Sequence, residues 1–249
     1  MMQPARAEEP PSQNGPLDKA TLLNNLAVVY KYQGRLDEAI RLYRSALQLM
    51  RRVLEPDHCD FATLYHNLGG LEHARGRFAR AEPLARRAVA IREARLGREH
   101  PEVAADLSAL AAILHGRGKL EEAELLFCRA LEIFEHIHGH EHYEIAINLN
   151  NLAAVYQSYG NYERAETLLR RALAIKEKIL GVRHPDAAVT LNNLAVLCKS
   201  RGNLEEAESL YVRAVDIFQQ TLGPGNPRLE TCAANLAKLR CKRESWALC

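Results

Sequence analysis

The sequence has little of what marks a catalytic, membrane-spanning or disulfide-built protein. Its six cysteines are scattered and form no C-x-x-C pair, so a metal ribbon or a dithiol redox motif is excluded. In a chain of 249 residues such isolated thiols read as reduced, as expected of a cytoplasmic protein. No window approaches 18 uninterrupted apolar residues, which argues against a helical membrane span. The opening stretch, Met1 to Pro16, is polar and Pro-rich and has no apolar run of the signal-peptide kind. Charge of one sign is also missing. With 26% charged residues the net charge is only +2, far from the basic excess of a dedicated nucleic-acid binder. There is no phosphate-binding G-x-x-x-x-G-K-[ST], no H-E-x-x-H and no G-x-S-x-G.

What is present is a period. Leu26, Leu68, Leu110, Leu152, Leu194 and Leu236 stand 42 residues apart without one insertion. Gly34, Gly76, Gly118, Gly160 and Gly202 keep the same step. So do the alanines Ala39, Ala81, Ala123, Ala165 and Ala207, and then Ala46, Ala88, Ala130, Ala172 and Ala214. Strict self-similarity of this length signals a repeat architecture and outweighs any local reading.

Each unit divides into two amphipathic helices, A and B. In the fourth unit Ile145, Leu149, Leu152, Val155 and Tyr156 follow helical spacing, predicting helix A over about 144–159. Gly160 stops it, because glycine enters the left-handed conformation without a Cβ clash. Helix B is expected over about 162–180, with Ala165 and Ala172 two turns apart on the face that helix A approaches. The units open on an acid behind a loop histidine, as in His100-Pro101-Glu102 and His184-Pro185-Asp186. Proline suits a first helical position, and the acid suits the positive end of the helix dipole.

The boundaries read from this are a flexible tail at 1–15 and an array over 16–240. Its units fall at about 17–58, 59–100, 101–142, 143–184 and 185–226, followed by a final helix at 227–240 and a short basic tail at 241–249 that holds Trp246. The class is all-α, with five helix pairs and a C-terminal capping helix.

At these residues the chain resembles a known family. The pattern L-x-N-L-A-x-x-Y, then G-x-x-x-x-A and A-L, is similar to the tetratricopeptide repeat. Leu191–Leu197 (L-N-N-L-A-V-L) and Ala172–Gly181 (A-L-A-I-K-E-K-I-L-G), with His184-Pro185 behind, resemble the 42-residue repeats of kinesin light chains and nephrocystin-3-like proteins. The resemblance covers residues 17–239. It implies a right-handed α-solenoid whose A helices line a concave groove, and a scaffold or adaptor, not an enzyme, that holds an extended peptide there. The alternatives are a regulatory sensor whose solenoid responds to a peptide or small ligand, and a self-assembling scaffold.

The resemblance also implies site residues. The asparagine before the repeat leucine is expected to face the groove and bond a peptide backbone: Asn25, Asn67, Asn151, Asn193 and Asn235, with Ala109 the gap. The position before it is Asn24, His66, Ser108, Asn150 and Asn192. An amide offers both donor and acceptor, which suits a strand-like peptide; the lesser alternative is that it bonds neighbouring repeats. Gly70, Gln157 and Lys199 complete the expected groove, and Asn148 is a further polar residue the fold does not obviously need. Basic groups at the far ends of the A helices, among them Lys31, Arg75, Arg117 and Arg201, suggest an acidic ligand or merely helix ends favoured by the dipole. The run His136, His138, His140, His142 is metal-like, but His142 is also the usual loop histidine. No cofactor or metal is expected, the partner is a protein or peptide, and neither nucleic acid nor membrane is expected to be bound.

Overall fold

A computed structural model describes residues 15–247, with side chains through Cys241. Residues 1–14 of the tail predicted at 1–15, and the Trp246 side chain, lie outside the described residues. Among the described residues there are eleven helices and no strand. In order they are α1 (Pro16–Tyr32), α2 (Leu36–Met50), α3 (Cys59–Ala74), α4 (Phe78–Leu96), α5 (Pro101–Gly116), α6 (Leu120–His138), α7 (Tyr143–Ser158), α8 (Tyr162–Leu180), α9 (Pro185–Ser200), α10 (Leu204–Thr221) and α11 (Pro227–Ala247). Odd-numbered helices are the A helices and even-numbered ones the B helices.

The chain divides after Arg98 into two compact units, one holding α1–α4 and the other α5–α11. Within each, a helix packs first on its sequence neighbours. Helices α1 and α2 pair, as do α3 and α4, and α2 packs on α3. In the second unit the pairs α5 with α6, α7 with α8 and α9 with α10 are linked by α6 on α7 and α8 on α9, and α11 closes on α10.

The periodic residues explain why the helices fit. Every alanine of the two B-helix series is essentially inaccessible, from Ala39 and Ala46 to Ala207 and Ala214. A methyl group there lets the A-helix backbone come close while still filling the contact. The second unit's core is built on Leu169, Leu191, Leu194, Tyr211, Ile217 and Phe218. The first has its own cluster around Tyr43, Phe61, Leu64, Leu68 and Leu71. Gly69 takes the place of a repeat alanine; a Cβ there would meet Ala81 O and Ala85 N at 3.6 Å, so α3 lies close against α4.

The ends of the helices follow a local code. Gly160 has φ +76°, the left-handed turn that the sequence pattern predicts between α7 and α8. The loop histidines are N-caps. Nδ1 of His58, His100, His142 and His184 accepts the backbone N–H of Asp60, Glu102, Glu144 and Asp186, at 3.1–3.3 Å. Asn226 does the same for Arg228 at 3.0 Å. An N-cap acceptor satisfies one of the donors a helix start leaves open.

Two expectations about length change. Helix α2 ends at Met50, earlier than its counterparts α4, α6 and α8. Those three run into Gly97, Gly139 and Gly181, whereas the first unit has Glu55 at that step. At the other end α11 does not stop near Leu239 but continues to Ala247.

Candidate site along the A helices

The predicted groove residues sit on A helices, and each unit presents its own set. In the first, Asn67 Nδ2 donates to Asn24 Oδ1 at 3.3 Å, and Asn24 Nδ2 donates to Asn25 Oδ1 at 3.2 Å. In the second, Asn193 Nδ2 donates to Asn150 Oδ1 at 3.2 Å, and Asn192 Nδ2 to Asn193 Oδ1 at 3.4 Å. The first amide of one A helix thus bonds the second amide of the next. These rungs hold neighbouring repeats in register. A side-chain amide has two donor hydrogens and two acceptor lone pairs, so a rung leaves capacity for a ligand.

The remaining predicted residues differ among themselves. Asn25 is exposed, while His66, Asn151, Gln157, Lys199 and Asn235 are half-buried. Ser108, beside the gap at Ala109, turns inward and donates to Asn148 Oδ1 at 2.9 Å. Gly70 has open space where a Cβ would stand, so nothing within the chain requires a glycine there. Asn148 is a correction. It is 1% exposed and its Nδ2 donates to the Phe127 carbonyl at 2.7 Å, so it ties α7 to α6 and is not available to a ligand. Tyr156, which its helical spacing placed with the apolar face, is only half-buried, and its hydroxyl donates to Glu124 at 2.7 Å.

The basic groups at the far ends are largely compensated. Arg75 pairs with Asp37 at 2.5 Å, which holds the Asp37 carboxyl below its usual range, chiefly through that hydrogen bond. Arg201 pairs with Glu166. His115 meets Ser158 Oγ at 2.9 Å, and burial pushes its imidazole pKa down.

The sequence reading missed a feature at the near ends of the A helices, where one repeat position creates crevices. In the first unit Thr21, Asn24, Met50, Asp60, Thr63 and Leu64 line a small cavity of about 120 Å³. Four periods later Val189, Asn192, Phe218, Pro227, Arg228 and Thr231 line one of about 300 Å³ between α9, α10 and α11. The two correspond residue for residue at Thr21 and Val189, Asn24 and Asn192, Met50 and Phe218, Asp60 and Arg228, Thr63 and Thr231. At the junction of α7 and α9 the floor position is Lys176, which belongs to a hydrogen-bonded set. Lys176 is 4% exposed and donates to Thr190 Oγ1 at 2.9 Å and to the Asp186 carbonyl at 3.3 Å. Burial lowers its pKa. The Asp186 carboxylate accepts the Tyr143 hydroxyl at 2.6 Å, which pushes that phenol up to about 12.

The α9–α11 cavity is the better furnished. Val189 and Phe218 give it an apolar wall, and Arg228 stands at its edge, 3.6 Å from Asp186. Asn192, one of the lining residues, has a buried side-chain carbonyl without a hydrogen-bond partner. An unpaired buried acceptor costs on the order of 1–3 kcal/mol, which a donor entering the cavity would recover.

The repeat period and this hairpin stack find their counterpart among known proteins. The sequence matches the tetratricopeptide repeat over residues 18–93, 60–136, 118–178, 144–220 and 186–247. The chain belongs to the tetratricopeptide repeat family. No curated protein matches the sequence. Among solved structures, BtubC (BKLC) from P. vanneervenii is 28% identical, with a TM-score of 0.68 over 85% of this chain and 86% of that one. Nearly identical kinesin light chain-type TPR-like repeats from Podosopora anserina are 26% identical, with a TM-score of 0.67 over 84% of this chain and 99% of theirs. A Rap protein complexed with competence and sporulation factor has a TM-score of 0.72 at 18% identity, over 95% of this chain and 69% of that one, a likeness of fold alone. As a tetratricopeptide repeat protein the chain has the fold of an interaction scaffold. None of its helices, among the described residues, is long and apolar enough to cross a membrane. Nor do the described residues gather three or more His, Cys, Asp or Glu side chains that could hold a metal. His138 and His142 stack at 4.1 Å, and His142 Nδ1 is engaged as a cap.

Proposed function

We propose that this protein is a non-catalytic adaptor that holds an extended peptide segment along its A helices. In the second unit the cavity between α9 and α11 fixes the register of the peptide. The observation that carries the reading is the unpartnered carbonyl of Asn192, a residue lining a cavity with one apolar wall and one guanidinium. An extended peptide presents groups this cavity can take: a backbone N–H for Asn192, an apolar side chain for Val189 and Phe218, and a carboxylate that would share Arg228 with Asp186. The cavity is at the small end of the range for ligand sites, about 300–1,000 Å³, which suits one anchoring side chain and not a cofactor. The amides at Asn150, Asn151, Asn193 and Asn235 then serve the peptide backbone on either side, with Lys199 at the far end. In the first unit Asn24, Asn25, His66 and Asn67 are the corresponding groups.

The two fully buried thiols, Cys198 and Cys232, support a non-enzymatic role. Burial pushes Cys198 and Cys232 up to about 11, so neither is a thiolate at neutral pH. The test is a peptide array of extended sequences, probed with the wild-type chain and with Asn192→Ala, Arg228→Ala and Asn151→Ala. Captured peptides should be enriched in an apolar residue next to a carboxylate. Binding should fall about tenfold with Arg228→Ala, as for loss of one charged anchor. Capture that all three variants leave unchanged overturns the site.

A further inference from the structure

One step of the repeat carries a tyrosine on two A helices and a much smaller side chain on another. At that step stand Tyr30, Glu72, Leu114, Tyr156 and Cys198. On α7 the Tyr156 hydroxyl donates to Glu124 at 2.7 Å, the Arg164 guanidinium lies 5.5 Å from the ring centre and the Tyr159 ring 6.3 Å away. On α1 the Tyr30 ring likewise has a guanidinium over it, that of Arg35 at 4.1 Å. On α9 the residue is Cys198, 2% exposed, and there is no ring. The backbone keeps its course. The Asn203 N–H donates to the Cys198 carbonyl at 2.9 Å, as the Asn161 N–H does to that of Tyr156. Beside Cys198 is a cavity of about 300 Å³, lined also by Glu166, Arg201, Asn203 and Glu206. Those four stand 42 residues after Glu124, Tyr159, Asn161 and Arg164, the residues that adjoin Tyr156. The cavity is the place of a tyrosine ring without the ring.

The lining says what would fill it. Both carboxylates are matched by guanidinium groups. Glu166 pairs with Arg201 and, at 2.8 Å, with Arg170. Glu206 pairs with Arg170 at 2.6 Å and accepts the Asn203 side-chain amide at 2.7 Å. A charged ligand would have to break one of these pairs to find its opposite charge, so the site favours a neutral one. A neutral ring bearing a hydroxyl suits these groups. A carboxylate oxygen accepts its O–H, as Glu124 does for Tyr156. A guanidinium lies on its face, and the Cys198 sulfur makes a favourable contact with its edge. The volume is ample, since a cavity of about 150 Å³ already holds benzene. Arg201 and Asn203 are exposed, which gives the cavity an outer edge for entry. We propose that the cavity at Cys198 binds a phenol ring, supplied by a small phenolic molecule or by the tyrosine of a peptide. Cys198 stands near the far end of α9 from Val189 and Asn192, so this site is separate from the α9–α11 cavity.

The test is a calorimetric titration of the full-length protein with p-cresol. Saturable binding at one site per chain is expected. Toluene, which lacks the hydroxyl, should bind at least about tenfold more weakly, because a site that bonds a hydroxyl rejects the analogue without it. Cys198→Tyr fills the place from within and should abolish p-cresol binding. Cys198→Leu, which carries the side chain that Leu114 supplies at this step, is the second filler and should weaken binding at least about tenfold. Cys198→Ala fills nothing and should keep it. Circular dichroism confirms that each variant is folded. N-acetyltyrosine amide separates the two sources: binding that competes with p-cresol assigns the site to a peptide tyrosine, and p-cresol binding alone assigns it to a free phenol. No saturable p-cresol binding, binding that the Tyr and Leu variants leave intact, or toluene bound as tightly as p-cresol overturns the proposal. Loss of p-cresol binding with Asn192→Ala or Arg228→Ala also overturns it, since the ring then sits in the α9–α11 cavity.

Discussion

At the scale of single residues, polar side chains on the A helices divide into those that build the array and those that remain for a ligand. Asn148 belongs to the first group. Replacing it with Ala removes the donor to the buried Phe127 carbonyl and the acceptor of Ser108. Stranding buried groups in this way should lower stability by about 1–3 kcal/mol, measured by urea unfolding, with peptide capture unaffected. His115 gives a pH test. Its depressed pKa means that the neutral ring is favoured in the folded state. The unfolded chain therefore binds more protons as pH falls below 6.5, and stability present above that value is lost as pH drops through the lowered pKa. His115→Gln should flatten the dependence of the unfolding midpoint on pH between neutrality and about pH 5, where an unperturbed imidazole is already protonated. The two groups of polar residues were not separable in the sequence. Asn148 and Asn151 read alike along the chain; only the packing of α7 on α6 buries one and leaves the other half-open.

At the scale of elements, the helices were legible because their signals are local. The predicted helix B of the fourth unit is α8 to the residue, and Gly160 adopts the positive φ that its position demands. Gly160→Ala should cost about 1 kcal/mol, since a Cβ strains that conformation. Pro83 works in the opposite sense. It lies inside α4, where Arg41, Leu125, Thr167 and Ser209 stand in the other units. It lacks the N–H that would bond the Ala79 carbonyl, and its ring crowds that group. Pro83→Ala should raise the Tm, by an amount equivalent to about 1–3 kcal/mol, in a calorimetric scan. The histidine caps were visible only as a recurring loop letter. Their role depends on the extended backbone ahead of each A helix, which aims Nδ1 back at the second helical N–H.

At the scale of the whole molecule, stability is expected to be distributed unit by unit. Repeat stacks behave nearly as one-dimensional chains of neighbour contacts, and about three repeats are needed for independent stability. The second unit has three full pairs closed by α11, with a core cluster of its own. Its outer ion pairs repeat in step, Arg171 with Glu135 and Arg213 with Glu177, both at 2.5 Å. Such exposed pairs add little each, so the apolar core carries the stack. A fragment of residues 99–249 should be helical and melt cooperatively by circular dichroism. A fragment of residues 1–98, with two pairs, should melt lower and more broadly.

The sequence by itself determined the repeat length, the class, most of the helix ends and the family. Each of these rests on periodicity or on bonds within a few residues. The tertiary structure alone decided which asparagines form rungs, which are buried, which crevices stay open and which leucines are exposed among the described residues. Leu26 and Leu68 occupy the same place in the same phrase. One is exposed and the other buried because, among the described residues, α2 packs on α3 and no helix precedes α1, and no residue of the repeat itself records that.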